Sequence, residues 1–229
     1  MKTLFIIPAR AGSKGIVKKN VRVLGGKPLI VHSLDVARKF VDDSNICVST
    51  DDPDVIAAVE NEKYTVPFVR PMELATDNTG MREVLLHAID HYAKAGMHYD
   101  RLVLLQPTSP FRQYSHVEEA LSLYNNGLDM VVSVAESKAN PYFVLYEENT
   151  DGILVKSKTG NFTSRQDCPA VYQLNGAIYV INIKSLKEKP IAEFKKIKKV
   201  LMDQLHSVDL DTEIDWKLAV LLNEEYKIV

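Results

Sequence analysis

The chain has 229 residues, with 28 Lys or Arg against 30 Asp or Glu and a formal net charge of −2 at pH 7. This length allows one sizeable buried core, and the charge balance gives no general attraction to nucleic acid or to an anionic membrane. No apolar segment approaches the ~20 residues that span a bilayer, and two cysteines are too few for a disulfide framework. We therefore expect a cytoplasmic protein with neither a nucleic-acid nor a membrane partner.

The first predicted element is a short buried strand, Leu4-Phe5-Ile6-Ile7. The segment that follows, 8–20, reads PARAGSKGIVKKN and combines small residues with positive charge. Small residues let backbone N–H groups approach a ligand, and Arg and Lys attract anions, so the loop suits a polyphosphate. Its glycine spacing fits neither the P-loop nor the dinucleotide fingerprint. The loop therefore predicts a nucleotide site of another type.

Predicted helices and strands alternate over the first half of the chain. Apolar residues at helical spacing predict one helix after Pro28 and another around residues 85–92, and a cap-rich segment at 49–53 predicts a third between them. Apolar runs at 45–49 and 101–105 predict strands. Such alternation is typical of an α/β protein with a mostly parallel sheet, in which ligands bind beyond the carboxyl ends of strands. The loops expected at that edge are 8–20, 49–53 and 106–112.

The pattern changes after a predicted strand at 130–134. Segments 142–146, 152–155 and 171–181 are typical of strands without intervening helices. We interpret residues from about 137 to 175 as a small β-rich excursion from the main sheet. No linker or internal repeat divides the chain, so 1–229 is predicted to be a single domain.

Five segments carry a resemblance, and they follow one another in order over nearly the whole chain. They are Ile7-Pro8-Ala9-Arg10 with the rest of the basic loop, Arg70-Pro71 with Glu73 to Asp77, Gln106 to Arg112, Asn175 to Tyr179, and Asp209 to Glu213. Together they resemble the acylneuraminate cytidylyltransferase (CMP-sialic acid synthetase) family, which activates nine-carbon acidic sugars. The resemblance implies a Rossmann-like nucleotidyltransferase sheet with helices on both faces, and an excursion that serves dimerisation in a homodimer.

The activity that the resemblance implies is transfer of CMP from CTP to the anomeric hydroxyl of a nonulosonic acid, with release of pyrophosphate. Arg10 and Lys19 are the residues implied to stabilise the triphosphate. The implied nucleotide contacts are Ala9, Arg10, Ala11, Gly12, Ser13, Lys19, Asn20, Arg70 and Thr79. The alternatives are a solvated basic loop and, for Arg70, a surface ion pair with Glu73.

Asp209 and Asp211 form a candidate metal pair. Residues i and i+2 of an extended segment project to one side, so their carboxylates can share Mg²⁺. The alternative is that Asp211 caps the last helix, which we expect to begin near Asp211 and to turn Ile214, Leu218, Leu221 and Leu222 inward. The resemblance favours the metal and implies a catalytic role for Asp211.

The sugar half of the site is implied to contain Gln106, Arg165 and Asn175. Arg165 offers a bidentate fork for the sugar carboxylate. The alternative role of the 106–112 segment is a stiff turn, with Ser109 or Ser115 as the cap of the helix that follows it, and the two roles are compatible. Members that use N-acetylneuraminate commonly carry Arg where this chain has Gln173, and Lys just after the proline of Pro141-Tyr142-Phe143. The acceptor class therefore includes legionaminic, pseudaminic and deaminated sialic acids.

Two other functions remain open at this point. One is a nucleotidyltransferase for another acceptor, such as an eight-carbon keto-sugar. The other is a nucleotide-binding regulator without turnover, which is expected to lose the metal carboxylates that Asp209 and Asp211 retain.

Overall fold

The computed structural model describes residues 1–229. The ten strands are β1 (Thr3–Pro8), β2 (Val23–Leu24), β3 (Lys27–Pro28), β4 (Ile46–Ser49), β5 (Arg101–Leu105), β6 (Met130–Glu136), β7 (Tyr146–Glu148), β8 (Leu154–Lys156), β9 (Tyr172–Asn182) and β10 (Ile197–Leu201). The six α-helices are α1 (Leu29–Ala37), α2 (Pro53–Asn61), α3 (Met81–Lys94), α4 (Tyr114–Leu123), α5 (Ile183–Glu188) and α6 (Glu213–Tyr226). None of these helices combines the length and hydrophobicity of a membrane-spanning segment.

Six strands form the main sheet in the order β10-β6-β9-β5-β1-β4. Strand β1 lies between β5 and β4 and pairs in parallel with both. Strand β9 is antiparallel to both its neighbours, β5 and β6, while β10 is parallel to β6. Five strands thus run in one direction, and the predicted mostly parallel α/β sheet is confirmed.

The two faces of the sheet are buried by different helices. Along β1, Phe5 and Ile7 face a core shared with α1, α2 and α4, whereas Leu4 and Ile6 face a core shared with α3 and α5. Because both faces are covered, all four residues are fully buried, and the strand reads as a continuous apolar run rather than an alternating one. Helices lie on both faces, as expected.

The last helix differs from its prediction. Its N-cap is Thr212, not Asp211: the Thr212 side chain accepts from the Asp215 N–H, and the Asp215 side chain bonds back to Thr212. This capping box fixes a rotation that buries Trp216 and Ala219 and partly buries Leu222. The other three residues that we expected inward are exposed: Ile214 (78%), Leu218 (45%) and Leu221 (62%).

The excursion contains one short hairpin, formed by β7 and β8. The predicted strand at 142–146 is mostly a turn, because the Asn140 carbonyl accepts from the N–H groups of Phe143 and Val144. Residues Tyr172–Asn175 already belong to β9, where Tyr172 pairs with Glu136 of β6. The segment outside the main sheet is therefore 137–171 rather than 137–175.

Candidate active site

A cleft of about 420 Å³ opens at the carboxyl ends of β1 and β5. This is the edge at which open α/β sheets bind their ligands. The lining residues are Pro8, Ala9, Arg10, Ser13, Lys14, Gly15, Lys19, Asn20, Arg70, Met81, Gln106, Pro107, Thr108, Asp209 and Asp211. Four of the five segments that carry the resemblance thus meet around one cavity.

The basic loop has a defined conformation. Asn20 is buried and donates from Nδ2 to the Arg10 carbonyl at 3.2 Å. The Ala11 N–H donates to Asp51 Oδ1 at 3.0 Å, which ties the loop to the end of β4. Lys18 adopts a left-handed conformation, φ 51°, and its ammonium lies 2.6 Å from Asp54 Oδ2. Side-chain contacts from Asn20, Asp51 and Asp54 therefore fix the conformation of this basic loop.

The loop also packs against the acidic segment from the far end of the chain. A Cβ added at Gly15 would overlap the backbone carbonyl of Asp211, so the two backbones touch there. Below this contact Ile16 of the loop, Phe111 and Leu210 share a small core with Trp216. These residues are far apart in the sequence, and they pack together in this core behind the cleft.

The two carboxylates face the cleft beside Lys19. The Lys19 ammonium donates to the Leu210 carbonyl at 2.5 Å and lies 3.4 Å from Asp211 Oδ1. Burial by the cleft walls and the negative charge of Asp211 together raise the pKa of Asp209, although its side chain stays accessible. A hydrogen bond from Thr108 and the charge of Lys19 oppose that rise.

Arg10 and Lys14 share one carboxylate. Arg10 Nη2 lies 2.5 Å from Asp77 Oδ1, and Lys14 Nζ lies 2.6 Å from Asp77 Oδ2. Asp77 comes from the segment between α2 and α3, 67 positions away from Arg10. These two ion pairs hold the pKa of Asp77 below its usual value.

Arg70 is buried, with 4% of its surface exposed, and lines the cleft. Its guanidinium donates to the side chain and to the carbonyl of Ser49, at the end of β4. The alternative surface ion pair with Glu73 is therefore wrong. Burial lowers the pKa of Arg70, and the negative charge of Asp51 opposes this effect without forming an ion pair with it.

The turn after β5 forms the floor of the cleft. Arg112 is buried and donates to the Gln106 carbonyl and, at 3.1 Å, to Ser33 Oγ. Ser109 donates to the Asn175 carbonyl at 3.2 Å, so neither it nor Ser115 caps α4. The cap is Gln113, in a capping box with His116.

A second cleft of about 320 Å³ adjoins the first, and Asp209 lines both. It contains the predicted sugar residue Asn175, together with Gln173. The Asn175 amide is held by Ser133 Oγ at 2.6 Å and by Ser207 Oγ at 2.9 Å. The other lining residues are Ala135, Glu136, Ser137, Lys138, Ala139, Leu174, Gln204 and Ser207.

Not every predicted site residue reaches these cavities. Ala11 and Gly12 belong to the loop but do not line the main cleft, and Gly12 lines a separate cavity that also contains Lys18 and Asp54. Thr79 donates to the Glu73 carbonyl at 3.1 Å and does not line the cleft either. Arg165 lies in a short 3-10 turn of the excursion and lines neither cavity of its own chain.

Sequence reasoning missed the loops that follow β6 and β10. Both strands end at the same edge as β1, and their loops supply Lys138 and Ser207 to the second cleft. The carboxyl-end rule, applied to these strands as it was to β1, β4 and β5, would have indicated them. No single-residue signal marks them.

The carboxylate pair is the acidic part of the site, and the chain brings no set of three or more His, Cys, Asp or Glu side chains into metal-binding geometry. Mg²⁺ is commonly held by one or two carboxylates, with water and substrate phosphates completing an octahedron. Two carboxylates beside a cationic loop therefore fit Mg²⁺ bound together with a polyphosphate, rather than a closed structural metal centre.

A cationic loop after the first strand, an acidic pair and a shared cleft on this sheet define a nucleotidyltransferase. Residues 4–226 match the family model described as Cytidylyltransferase, and the chain belongs to that family.

Curated relatives agree with this assignment. The chain is 31% identical to the CMP-N,N'-diacetyllegionaminic acid synthase of Legionella pneumophila, over 98% of this chain and 97% of that protein. It is also 31% identical to the N-acylneuraminate cytidylyltransferase of Escherichia coli, over 98% of this chain and 52% of that protein. The pseudaminic acid cytidylyltransferase of Campylobacter jejuni is 28% identical over 100% and 97% of the two chains.

A solved structure shares the fold. The CTP complex of CMP:2-keto-3-deoxy-manno-octonic acid synthetase superposes with a TM-score of 0.72 at 19% identity, covering 98% of this chain and 100% of that one. At this identity the likeness concerns the fold alone.

Proposed function

We propose that the protein transfers CMP from CTP to the anomeric hydroxyl of a nonulosonic acid and releases pyrophosphate. The observation that carries the proposal is the single cleft in which the loop cations Arg10 and Lys19 face Asp209 and Asp211. Among the relatives that match over nearly their whole length are proteins named for legionaminic and pseudaminic acid activation, which favours a nine-carbon acceptor.

Arg10 and Lys19 are proposed to bind the triphosphate and to stabilise the leaving pyrophosphate. Fixed cations at the point where charge develops need no reorganisation during the reaction. The loop backbone from Ala9 to Ser13, with Asn20, Arg70 and Thr79, completes the proposed nucleotide contacts. Of this set Ala9, Ser13, Asn20 and Arg70 line the cleft beside the two cations.

Mg²⁺ is proposed to bind Asp209 and Asp211. The ion would neutralise phosphate charge when bound with CTP. Lys19 donates to the carbonyl between the two carboxylates and lies 3.4 Å from one of them, which keeps Asp211 oriented beside the triphosphate side of the cleft.

The reaction needs positioning more than covalent help. An oxygen of the sugar hydroxyl forms a bond to the α-phosphorus while the bond from that phosphorus to the β-phosphate bridging oxygen breaks, and pyrophosphate leaves. The hydroxyl proton passes to water or to a carboxylate, because the cleft lining contains no His or Cys. Asp209, whose pKa is raised, is the carboxylate nearer to the second cleft.

The second cleft is proposed to hold the sugar. It meets the first at Asp209, as an acceptor compartment must if its hydroxyl is to reach the α-phosphate. Gln106 supports the boundary between the two, since a Cβ on Gly176 would lie 2.9 Å from its Oε1 and 3.8 Å from Asp209 Oδ2. Asn175 lines the second compartment.

We also propose that the chain, as one catalytic domain, forms a homodimer through the excursion. Six large apolar residues of and beside the β7–β8 hairpin are 41–66% exposed: Val144, Leu145, Tyr146, Ile153, Leu154 and Val155. An apolar surface of this kind is typical of a protein interface. Arg165 lies on the same excursion and lines no cleft of its own chain, so we place its sugar contact in the cleft of a second copy.

A cytoplasmic location fits the free thiols of Cys47 and Cys168, which persist in reducing compartments.

The test is pyrophosphate release from each nucleoside triphosphate with Mg²⁺, against a panel of legionaminic, pseudaminic and sialic acids. We expect release with CTP and at least one panel member. Tight CTP binding without release for any acceptor would contradict the proposal, as would equal rates with all four nucleotides.

A further inference from the structure

The ion pairs at the cleft mouth carry a further inference, which rests on the proposed function. Both carboxylate oxygens of Asp77 are engaged, one by Arg10 at 2.5 Å and the other by Lys14 at 2.6 Å. Both cations line the cleft that we assign to CTP. The side chain of Asp77 has no other polar partner within the chain, so these two contacts account for its position.

We propose that Asp77 is an internal competitor of the triphosphate, which sets the affinity of the site for CTP and speeds the departure of pyrophosphate. A phosphate group and the Asp77 carboxylate offer the same chemistry to Arg10 and Lys14, namely two anionic oxygens at hydrogen-bond distance. The two cations cannot pair fully with both. Each phosphate contact that Arg10 or Lys14 makes therefore replaces a contact to Asp77.

The competition acts on substrate and product alike. Asp77 weakens CTP binding by the free energy of two partly exposed ion pairs, and it weakens pyrophosphate binding by the same route. Its carboxylate is 45% exposed and comes from a different segment than the loop, so it can return to the cations as pyrophosphate leaves. A nucleotidyltransferase gains from this exchange because retained pyrophosphate inhibits the next turnover.

Asp77→Asn removes the charge and keeps the shape. Two exposed pairs together account for about 3-fold to 10-fold in affinity. We expect the Kd of CTP and the Kd of inorganic pyrophosphate to fall by this factor in calorimetric titrations at fixed ionic strength. We also expect stronger product inhibition by pyrophosphate, with kcat lowered where its release limits turnover.

Asp54→Asn is the matched control. Asp54 pairs with Lys18 of the same loop at 2.6 Å and is 48% exposed, but Lys18 does not line the cleft. This variant keeps a side-chain acceptor for Lys18 and should not lower either Kd value. Asp77→Ala serves as a second variant and should reproduce the gain, whereas the gain should vanish when Arg10→Ala and Lys14→Ala are also present.

Unchanged or weaker CTP and pyrophosphate binding in Asp77→Asn would overturn the inference, and so would an equal gain in Asp54→Asn. Wild-type protein separates the two proposals. If it binds and turns over CTP while Asp77→Asn behaves identically, only the role of Asp77 fails. If wild-type protein does not bind CTP, the proposed function and this inference both fail.

Discussion

Lys19 and Asp211 are 192 positions apart in the chain, yet Lys19 Nζ lies 3.4 Å from Asp211 Oδ1 and donates to the adjacent Leu210 carbonyl at 2.5 Å. Lys19 belongs to the loop proposed to bind the triphosphate, and Asp211 belongs to the proposed metal pair. The contact places a cation of the proposed triphosphate site next to a carboxylate of the proposed metal pair. It also links the position of the carboxylate to the conformation of the loop.

Asp211→Ala should therefore abolish turnover without unfolding the protein. Metal-assisted stabilisation of phosphoryl charge is worth several kcal/mol, so we expect kcat to fall by about 100-fold or more. Because the Asp211 side chain is 73% exposed and does not cap α6, the melting temperature should stay within a few degrees of wild type. A variant with a near-normal rate would refute the metal assignment.

Gly15→Ala tests the contact between the basic loop and the acidic segment. The added Cβ would overlap the Asp211 carbonyl, a backbone atom that cannot rotate away. We expect the two segments to separate, with a drop in kcat/KM of about 100-fold because misplacement by ~1 Å costs this much. Gly12→Ala is the comparison: nothing lies within 4 Å of its Cβ, although its φ of 74° adds local strain. Equal activity of Gly15→Ala and wild type would contradict the close approach.

Asp209→Asn should make the protein more stable and less active. The pKa of Asp209 is raised above 3.8, so its ionised form is less favourable in the folded state than in the unfolded state. The neutral amide removes this cost at neutral pH, and the melting temperature at pH 7 should rise in the presence of a chelator. As pH falls below 3.8 both side chains are neutral and the difference should disappear. A lower melting temperature at pH 7 would show that the ionised carboxylate is stabilising.

A complementation experiment tests the proposed dimer and the place of Arg165. Arg165→Ala and Asp211→Ala homodimers should each be nearly inactive. Mixed and exchanged subunits should recover activity, because one cleft of the heterodimer then has both an intact Asp211 and a wild-type Arg165 from the other copy. Statistical mixing gives half heterodimers with one active cleft each, so about a quarter of wild-type activity is expected if subunits pair at random. No recovery, with exchange verified, would place Arg165 outside the second copy's cleft.

Strands β1, β4, β5 and β6 and the first helices were predictable from sequence because each has a strong local cause. A doubly covered strand such as β1 is uniformly apolar, and the Asp52 side chain caps α2 through the Asp54 N–H at 2.9 Å. The face of α6 that is buried was not predictable in the same way. Four apolar residues at helical spacing predicted one buried face. The cap at Thr212 and the packing of Trp216 under Arg22 instead bury a different face of the helix.

The site likewise contains some features that the sequence predicts and others that it does not. Arg10, Lys19, Asp209 and Asp211 were expected to share a site because the segments that carry them resemble a known family, and the structure brings all four to one cleft. The pairing of Arg10 with Asp77 was not expected, because it joins residues 67 positions apart and neither segment indicates from its sequence that the two side chains meet. Long-range contacts between irregular segments depend on the whole fold rather than on local propensity.

Gln173 offers a test of the sugar compartment that leaves the nucleotide half untouched. It lines the second cleft and not the first. Gln173→Ala removes hydrogen-bonding groups from the acceptor side, so the KM of the preferred sugar should rise about 5-fold to 10-fold, as expected for one neutral hydrogen bond. The KM of CTP should stay within about 2-fold of the wild-type value, because Gln173 does not line the cleft assigned to the nucleotide. A change confined to the KM of CTP would place the sugar elsewhere.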